Sequence, residues 1–166
     1  MSYGEHNVVR EGVVAGFLSA TVIALWLLIV DTLAGHAFFT PTVLGRGLLG
    51  ILGRSDGDSQ FTYVAAYTVF HYGAFFLIGI IVATVVHAAR RIPGLLGGFL
   101  VLFVMFEMGF YGLTGALSVR SELRGLAWYQ LGAANLLAAV VMLYFMWVRH
   151  PELKQELVDA LEGRDA

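Results

Sequence analysis

The chain has 166 residues, of which 58% are hydrophobic and 13% charged, and its mean hydropathy is +0.78. A soluble domain has about a quarter of its residues charged, so much of this surface must face something other than water. The net charge of −2 argues against nucleic acid, which requires a basic patch. The absence of cysteine excludes disulfides, thiolate metal sites and thiol redox chemistry. These properties predict an integral membrane protein that contacts the lipid bilayer and binds no nucleic acid.

Four apolar segments are long enough to cross a bilayer, which takes about 20 helical residues. The segments cover residues 12–35, 63–89, 92–117 and 125–148. The last one carries no charge, and Trp128 and Trp147 lie near its two ends, where tryptophan is enriched at membrane interfaces. The sequence therefore predicts an all-α fold, a single bundle of four transmembrane helices over residues 12–148 with both termini on the same side.

The basic residues predict which side that is. Six arginines and lysines fall on the side of the termini and four on the other side, and cytoplasmic loops carry the excess of basic residues. We therefore expect a bacterial inner-membrane protein with a cytoplasmic N-terminus (1–11), an outer loop (36–62) and an amphipathic cytoplasmic tail (149–166). A signal peptide is the alternative interpretation of the first segment. Glu5, Glu11 and the long apolar stretch argue against it.

The outer loop contains a candidate short helix. Thr40-Pro41 has the pattern of an N-cap followed by a first-turn proline. Leu44, Leu48, Ile51 and Leu52 would share one face of that helix, which could lie on the membrane surface. Glycines such as Gly45 weaken a helix, so a flexible amphipathic loop is the alternative.

Polar residues inside the spans are the strongest indicators of function, because a charge at the centre of a span costs about 2.5–3.5 kcal/mol. Asp31 shares a helix face with Ala20 and Ala24, and small residues mark contacts between membrane helices. We therefore place Asp31 inside the bundle. Similar reasoning predicts an intramembrane polar cluster in the outer half of the bundle, made of Asp31, His71, Glu107 and Asn135, with Tyr67, Tyr111 and Thr114 nearby.

Three interpretations of this cluster remain open. It could be a hydrogen-bond network that fixes helix packing, or a proton or cation pathway built from carboxylates, histidine and hydroxyls. It could also be a metal site, whose candidate ligands are Asp31, His36, His71 and Glu107. The Glu-x-x-His pairs of di-iron bundles are missing, so we predict no metal and no catalytic residue.

The histidines and the glycines of the third span give two further expectations. His87 and His150 lie at the inner ends of two spans, so a haem between them is geometrically feasible. Histidine at a membrane interface is the commoner explanation, and the sequence predicts no cofactor. Gly109, Gly112 and Gly115 recur every three residues in the third span, which predicts close packing against a neighbouring helix.

The first half of the chain resembles a group of small uncharacterised bacterial membrane proteins with four predicted transmembrane helices. The matching residues are Gly12, Gly16, Ala20-Thr21, Ala24-Leu25-Trp26, Asp31, Ala34-Gly35, Thr40-Pro41, Leu44-Gly45 and His71. That group has no activity to carry over. The resemblance implies that Asp31, Thr40-Pro41 and His71 belong to one structural unit.

For function, the leading prediction is a non-catalytic integral membrane subunit or scaffold of a larger assembly, such as a respiratory or photosynthetic complex. Its partners would be other membrane subunits or further copies of itself. The alternative is a small proton or cation transporter, or a channel-like protein, that uses Asp31, His71 and Glu107. A metal-dependent membrane enzyme is the third hypothesis.

Overall fold

The computed structural model describes residues 8–53, 59–89, 108–116 and 128–150, and these residues contain helices and no strands. The helices are α1 (Val8–Leu33), α2 (Phe39–Ile51), α3 (Gln60–Ala89), α4, described over residues 108–116, and α5 (Trp128–Arg149). The predicted all-α class is confirmed over this part of the chain.

Three of these helices are long and apolar enough to cross a membrane, namely Val8–Leu33, Gln60–His87 and Tyr129–Arg149. They correspond to the first, second and fourth predicted spans, which supports a membrane protein. The predicted third span, 92–117, lies mostly outside the described residues. The count of four spans therefore stays a prediction.

Glycine allows α1 and α3 to approach closely. A Cβ atom at Gly12 would collide with the backbone of Ile80, and one at Gly16 would collide with the carbonyl group of Phe75. From the other side, a Cβ atom at Gly79 would collide with the carbonyl oxygen of Gly12. Close backbone approach at small residues is a principal source of packing between membrane helices, where lipid removes the hydrophobic driving force.

Hydrogen bonds join α1 to α5. The Ser19 hydroxyl donates to the Ala138 carbonyl oxygen at 3.1 Å, and the Trp26 indole N–H donates to the Gln130 carbonyl oxygen at 2.8 Å. Residue numbers fall along α5 as they rise along α1, so the two helices are antiparallel. The glycine contacts pair Gly12 with Ile80 and Gly16 with Phe75, so α3 is antiparallel to α1 as well. Consequently α3 and α5 run parallel to each other.

The buried core lies where these three helices meet. At one end it contains a cluster from α1, α3 and α5, made of Ala15, Val82, Ala83, Val86, Met142 and Met146. Closer to the other end, Ile23 and Leu27 of α1 pack on Ala134 and Ala138 of α5. The side chains between the helices are small or flexible, which suits the short distances that the glycines allow.

The connection between the first two candidate spans contains a packed helix, α2. α2 buries Val43 and Leu44, which Tyr67 of α3 and Phe110 and Leu113 of α4 contact. The prediction that Thr40 is the N-cap is wrong by two residues, because the helix begins at Phe39 and Phe38 occupies the N-cap in a left-handed conformation.

Two helices begin before the predicted spans. α3 begins at Gln60, and the Ser59 hydroxyl accepts a hydrogen bond from the Thr62 amide at 3.3 Å, as an N-cap does. α1 begins at Val8, which brings Glu11 into its first turn.

Candidate functional site

Asp31 is buried in the last turn of α1, and its carboxylate caps the N-terminus of α2. Oδ2 accepts a hydrogen bond from the Thr40 amide, and Oδ1 accepts one from the Thr40 hydroxyl, both at 2.8 Å. The N-terminus of a helix presents free N–H groups and a positive dipole end, both of which stabilise an anion. The structure thus supplies the compensation that a carboxylate inside a membrane helix requires. Asp31 and Thr40 form one unit, as the resemblance implies.

His71 is buried on α3 and bonds to the backbone of α1 instead of to a carboxylate. Its Nε2 lies 3.1 Å from the Ala20 carbonyl oxygen and donates a hydrogen to it. The ring stacks on Tyr67, with centroids 5.5 Å apart, and contacts Phe75 at 4.8 Å. The hydrogen bond joins α3 to α1, whereas the two ring contacts are with residues of α3 itself and fix the orientation of the His71 ring.

The remaining members of the predicted cluster occupy different surroundings. Asn135 is buried on α5, and the buried Thr114 hydroxyl donates to the Tyr111 carbonyl oxygen on its own helix at 3.2 Å. The Tyr111 side chain is 42% exposed. Glu107 lies outside the described residues, so the convergence of the four polar groups stays a prediction.

A small apolar cavity of about 200 Å³ lies beside His71, between α1, α2 and α3. Its lining includes Ile23, Leu27, Pro41, Tyr67 and Tyr72. Sites for drug-sized ligands and cofactors usually measure about 300–1,000 Å³, so this cavity is smaller than such a site.

A different group of ionisable residues meets at the opposite end of the bundle. Glu11 in the first turn of α1, His87 in the last turn of α3 and His150, immediately after α5, each offer a potential ligand atom, and these atoms lie within 4.8 Å of one another. Along α1, Glu11 is about 30 Å from Asp31.

Helix-end chemistry explains why the three residues meet. The carboxylate of Glu11 is favoured at the N-terminus of α1, and a histidine is favoured at the C-terminus of α3. His150 precedes Pro151 in the sequence, and a residue before proline disfavours the helical conformation. α5 therefore ends at Arg149 and places His150 just beyond its last turn.

This group differs from the predicted metal candidates Asp31, His36, His71 and Glu107. Asp31 and His71 are bonded to Thr40 and Ala20, and His36 is exposed in the connection between α1 and α2. The sequence assigned Glu11 to the segment before the first span, and His87 and His150 were interpreted as interface histidines or a haem pair. The available signal was that all three residues lie at the same end of predicted spans.

Comparison of the chain with protein-family models, with curated proteins and with solved structures finds no match.

Proposed function

We propose that the chain is a non-catalytic integral membrane subunit that packs against other membrane helices, either those of other proteins or those of further copies of itself. The supporting observation concerns its surface. In the most apolar 18-residue window of each candidate span, only 33% of the residues are buried. A chain with this much outward apolar surface has ample area for lipid and for neighbouring helices.

Exposed side chains on three helices form that outward surface. They include Leu25 and Ile29 on α1, Val69 and Leu77 on α3, and Leu136 and Val140 on α5. Gly109 and Gly112 on α4 are also exposed, and no described atom lies within 4 Å of a Cβ position at either one. The close helix contact predicted for these glycines would then be made with a partner helix.

The polar interior favours this proposal over a transporter. Among the described residues, the buried Asp31, His71 and Ser19 side chains each bond to a nearby backbone or hydroxyl group. The Asp31 bonds join α1 to α2, the His71 bond joins α1 to α3, and the Ser19 bond joins α1 to α5. Hydrogen bonds between helices in this way fix how the helices pack. A proton or cation pathway would instead need groups free to exchange their partners, and Glu107 would have to complete it.

The proposed arrangement in the membrane has four spans, with residues 92–117 forming the third in chain order and both termini cytoplasmic in a bacterial inner membrane. The directions of the helices support this. Because α3 and α5 both run antiparallel to α1, the chain between Ala89 and Trp128 must return from one end of the bundle to the other. A further membrane crossing achieves that return.

The test is extraction of the protein from its native membrane with a mild detergent, followed by native electrophoresis. We expect the chain to migrate in a larger assembly. Because the chain lacks cysteine, Leu77→Cys, at a position that is 62% exposed, can be cross-linked to a neighbour. Ala138→Cys, at a buried position of α5, is the matched control. A monomer that gives no cross-link from Leu77→Cys would refute the proposal, whereas coupled ion transport by the monomer would favour the transporter.

A further inference from the structure

The side chains of His87 and His150 both approach the same carboxylate oxygen of Glu11. The Nε2 atom of His150 lies 3.2 Å from Glu11 Oε2, and the Nε2 atom of His87 lies 3.7 Å from the same oxygen. The two imidazole rings meet edge to face, with centroids 4.8 Å apart. The three side chains come from three different helices or helix ends, so the fold itself assembles the group.

The group is largely shielded from solvent. His150 has 0% of its surface exposed, and Glu11 is buried as well, while the His87 side chain keeps 21% exposure. Val86, which precedes His87, and Met146, four residues before His150, belong to the apolar core at the same end of the bundle. A buried carboxylate requires a cation or several hydrogen bonds to offset its lost hydration.

The hydrogen bonding of His87 orients its second nitrogen towards Glu11. The Nδ1 atom lies 2.8 Å from the Ala83 carbonyl oxygen. A carbonyl oxygen only accepts, so Nδ1 carries the hydrogen, and in the neutral ring Nε2 presents its lone pair to the carboxylate. A lone pair is what a metal ion binds, so Nε2 in this tautomer can serve as a metal ligand. Histidines that bind metals typically donate their other N–H to a carbonyl or carboxylate in this way.

We propose that Glu11, His87 and His150 bind a divalent transition-metal ion, for which Zn²⁺ is the best fit, at the end of the bundle where α1 begins and α3 and α5 end. This inference is independent of the proposed role as a subunit. Bonds from a zinc ion of about 2.0–2.2 Å place tetrahedral ligand atoms about 3.3 Å apart. The observed separations of 3.2 and 3.7 Å from Glu11 Oε2 approach that spacing, and all three ligand atoms lie within 4.8 Å of one another, so an ion would draw the group closer together.

The donor set selects the class of ion. Two imidazoles and one carboxylate suit zinc and other first-row transition metals, whereas Ca²⁺ and Mg²⁺ prefer oxygen ligands in larger number. Three protein ligands leave a fourth position for water. The ion would neutralise Glu11 and fasten the two ends of the described chain, since Glu11 and His150 are 139 residues apart.

The test uses the full chain, purified in detergent, treated with a chelator and then titrated with Zn²⁺ in a calorimeter. We expect one equivalent to bind, and the bound protein to unfold at a higher temperature. Glu11→Gln and His87→Gln keep side-chain size and should each weaken Zn²⁺ binding by more than about 100-fold, because loss of a ligand exceeds the 10–100-fold effect of losing an outer hydrogen bond. His36→Gln, at an exposed histidine in the connection between α1 and α2, is the matched control and should bind like the unaltered chain.

Substitution of Co²⁺ for Zn²⁺ provides a second measurement. A Co²⁺ ion with four or five ligands gives intense visible absorption, whereas octahedral Co²⁺ in water absorbs weakly. We expect the intense spectrum in the unaltered chain and its loss in His87→Gln, whose half-buried position makes it the variant least harmful to folding. The proposal would be overturned, in favour of a metal-free Glu11–histidine ion pair, if Zn²⁺ and Co²⁺ failed to saturate. It would also be overturned if Glu11→Gln and His87→Gln bound Zn²⁺ as tightly as the unaltered chain.

Discussion

Asp31 illustrates at the residue scale how a membrane helix accommodates a carboxylate. Its small-residue face correctly predicted that it lies inside the bundle, with 4% of its surface exposed. The sequence did not predict that Thr40 is its partner. That contact depends on the reversal of the chain between α1 and α2, where Phe38 adopts φ 65°, a conformation rare for a residue other than glycine. Local patterns carry little information about such a turn.

Replacement of Asp31 by alanine should destabilise the protein. The Thr40 amide and hydroxyl would both lose their acceptor in a buried position, which costs about 1–3 kcal/mol per unsatisfied group. Thermal unfolding in detergent measures the loss. Thr32→Ala is the matched control, because the exposed Thr32 hydroxyl bonds only to the Leu28 carbonyl oxygen of its own helix. Equal unfolding temperatures for the two variants would contradict the capping role.

The candidate site could be predicted only in part, for a related reason. Glu11, His87 and His150 were visible as ionisable residues near the ends of predicted spans. Their convergence depends on the actual helix ends, such as the start of α1 at Val8. A boundary error of a few residues changes both the height and the direction of a side chain, since each helical residue turns by about 100° and rises 1.5 Å.

At the scale of elements, the pairing of α1 with α3 is set by small residues on both helices. The Gly12-x-x-x-Gly16 spacing was readable from the sequence as a contact motif. Its partner, Gly79, was not readable, because a single glycine in an apolar helix has no distinguishing pattern. Hydrophobic length thus predicted that the helices exist, while the identity of neighbouring helices required the three-dimensional structure.

The glycine contact predicts a large difference between two otherwise similar variants. In Gly16→Leu, the new side chain would enter the space occupied by the Phe75 carbonyl group, so α1 and α3 would have to separate. Gly73→Leu places the same side chain on α3, where no described atom lies within 4 Å of the Cβ position. We expect Gly16→Leu to lower the unfolding temperature and the yield of folded protein strongly, and Gly73→Leu to have little effect. A similar loss in both would indicate that helix propensity, rather than packing, is responsible.

At the scale of the whole molecule, the parallel course of α3 and α5 makes a topological prediction. The exposed Arg46 of α2 lies towards the end where α1 finishes, whereas Arg149 lies at the other end. With four spans, cysteines introduced at Arg46 and Arg120 should react with a membrane-impermeant reagent outside intact cells. Cysteines at Arg90 and Arg149 should react only after permeabilisation.

Two results would contradict this arrangement in different ways. Labelling of Arg90→Cys and Arg120→Cys from the same side would show that the chain between them does not cross the membrane. Labelling of Arg90→Cys and Arg149→Cys alone from outside would keep the four spans and invert the orientation. The chain contains no cysteine of its own, so each introduced thiol reports one position without background.

The distance along the chain between contacting residues sets the order in which the contacts can form during synthesis. Asp31 and Thr40 are nine residues apart, so α2 can be capped soon after it leaves the ribosome. Glu11 and His150 are 139 residues apart, so Glu11 must wait until α5 has been made. Chains begin to fold from the N-terminus as they emerge. A protein truncated just before His150 would therefore retain the early contacts, and only the contact between Glu11 and His150 would never form.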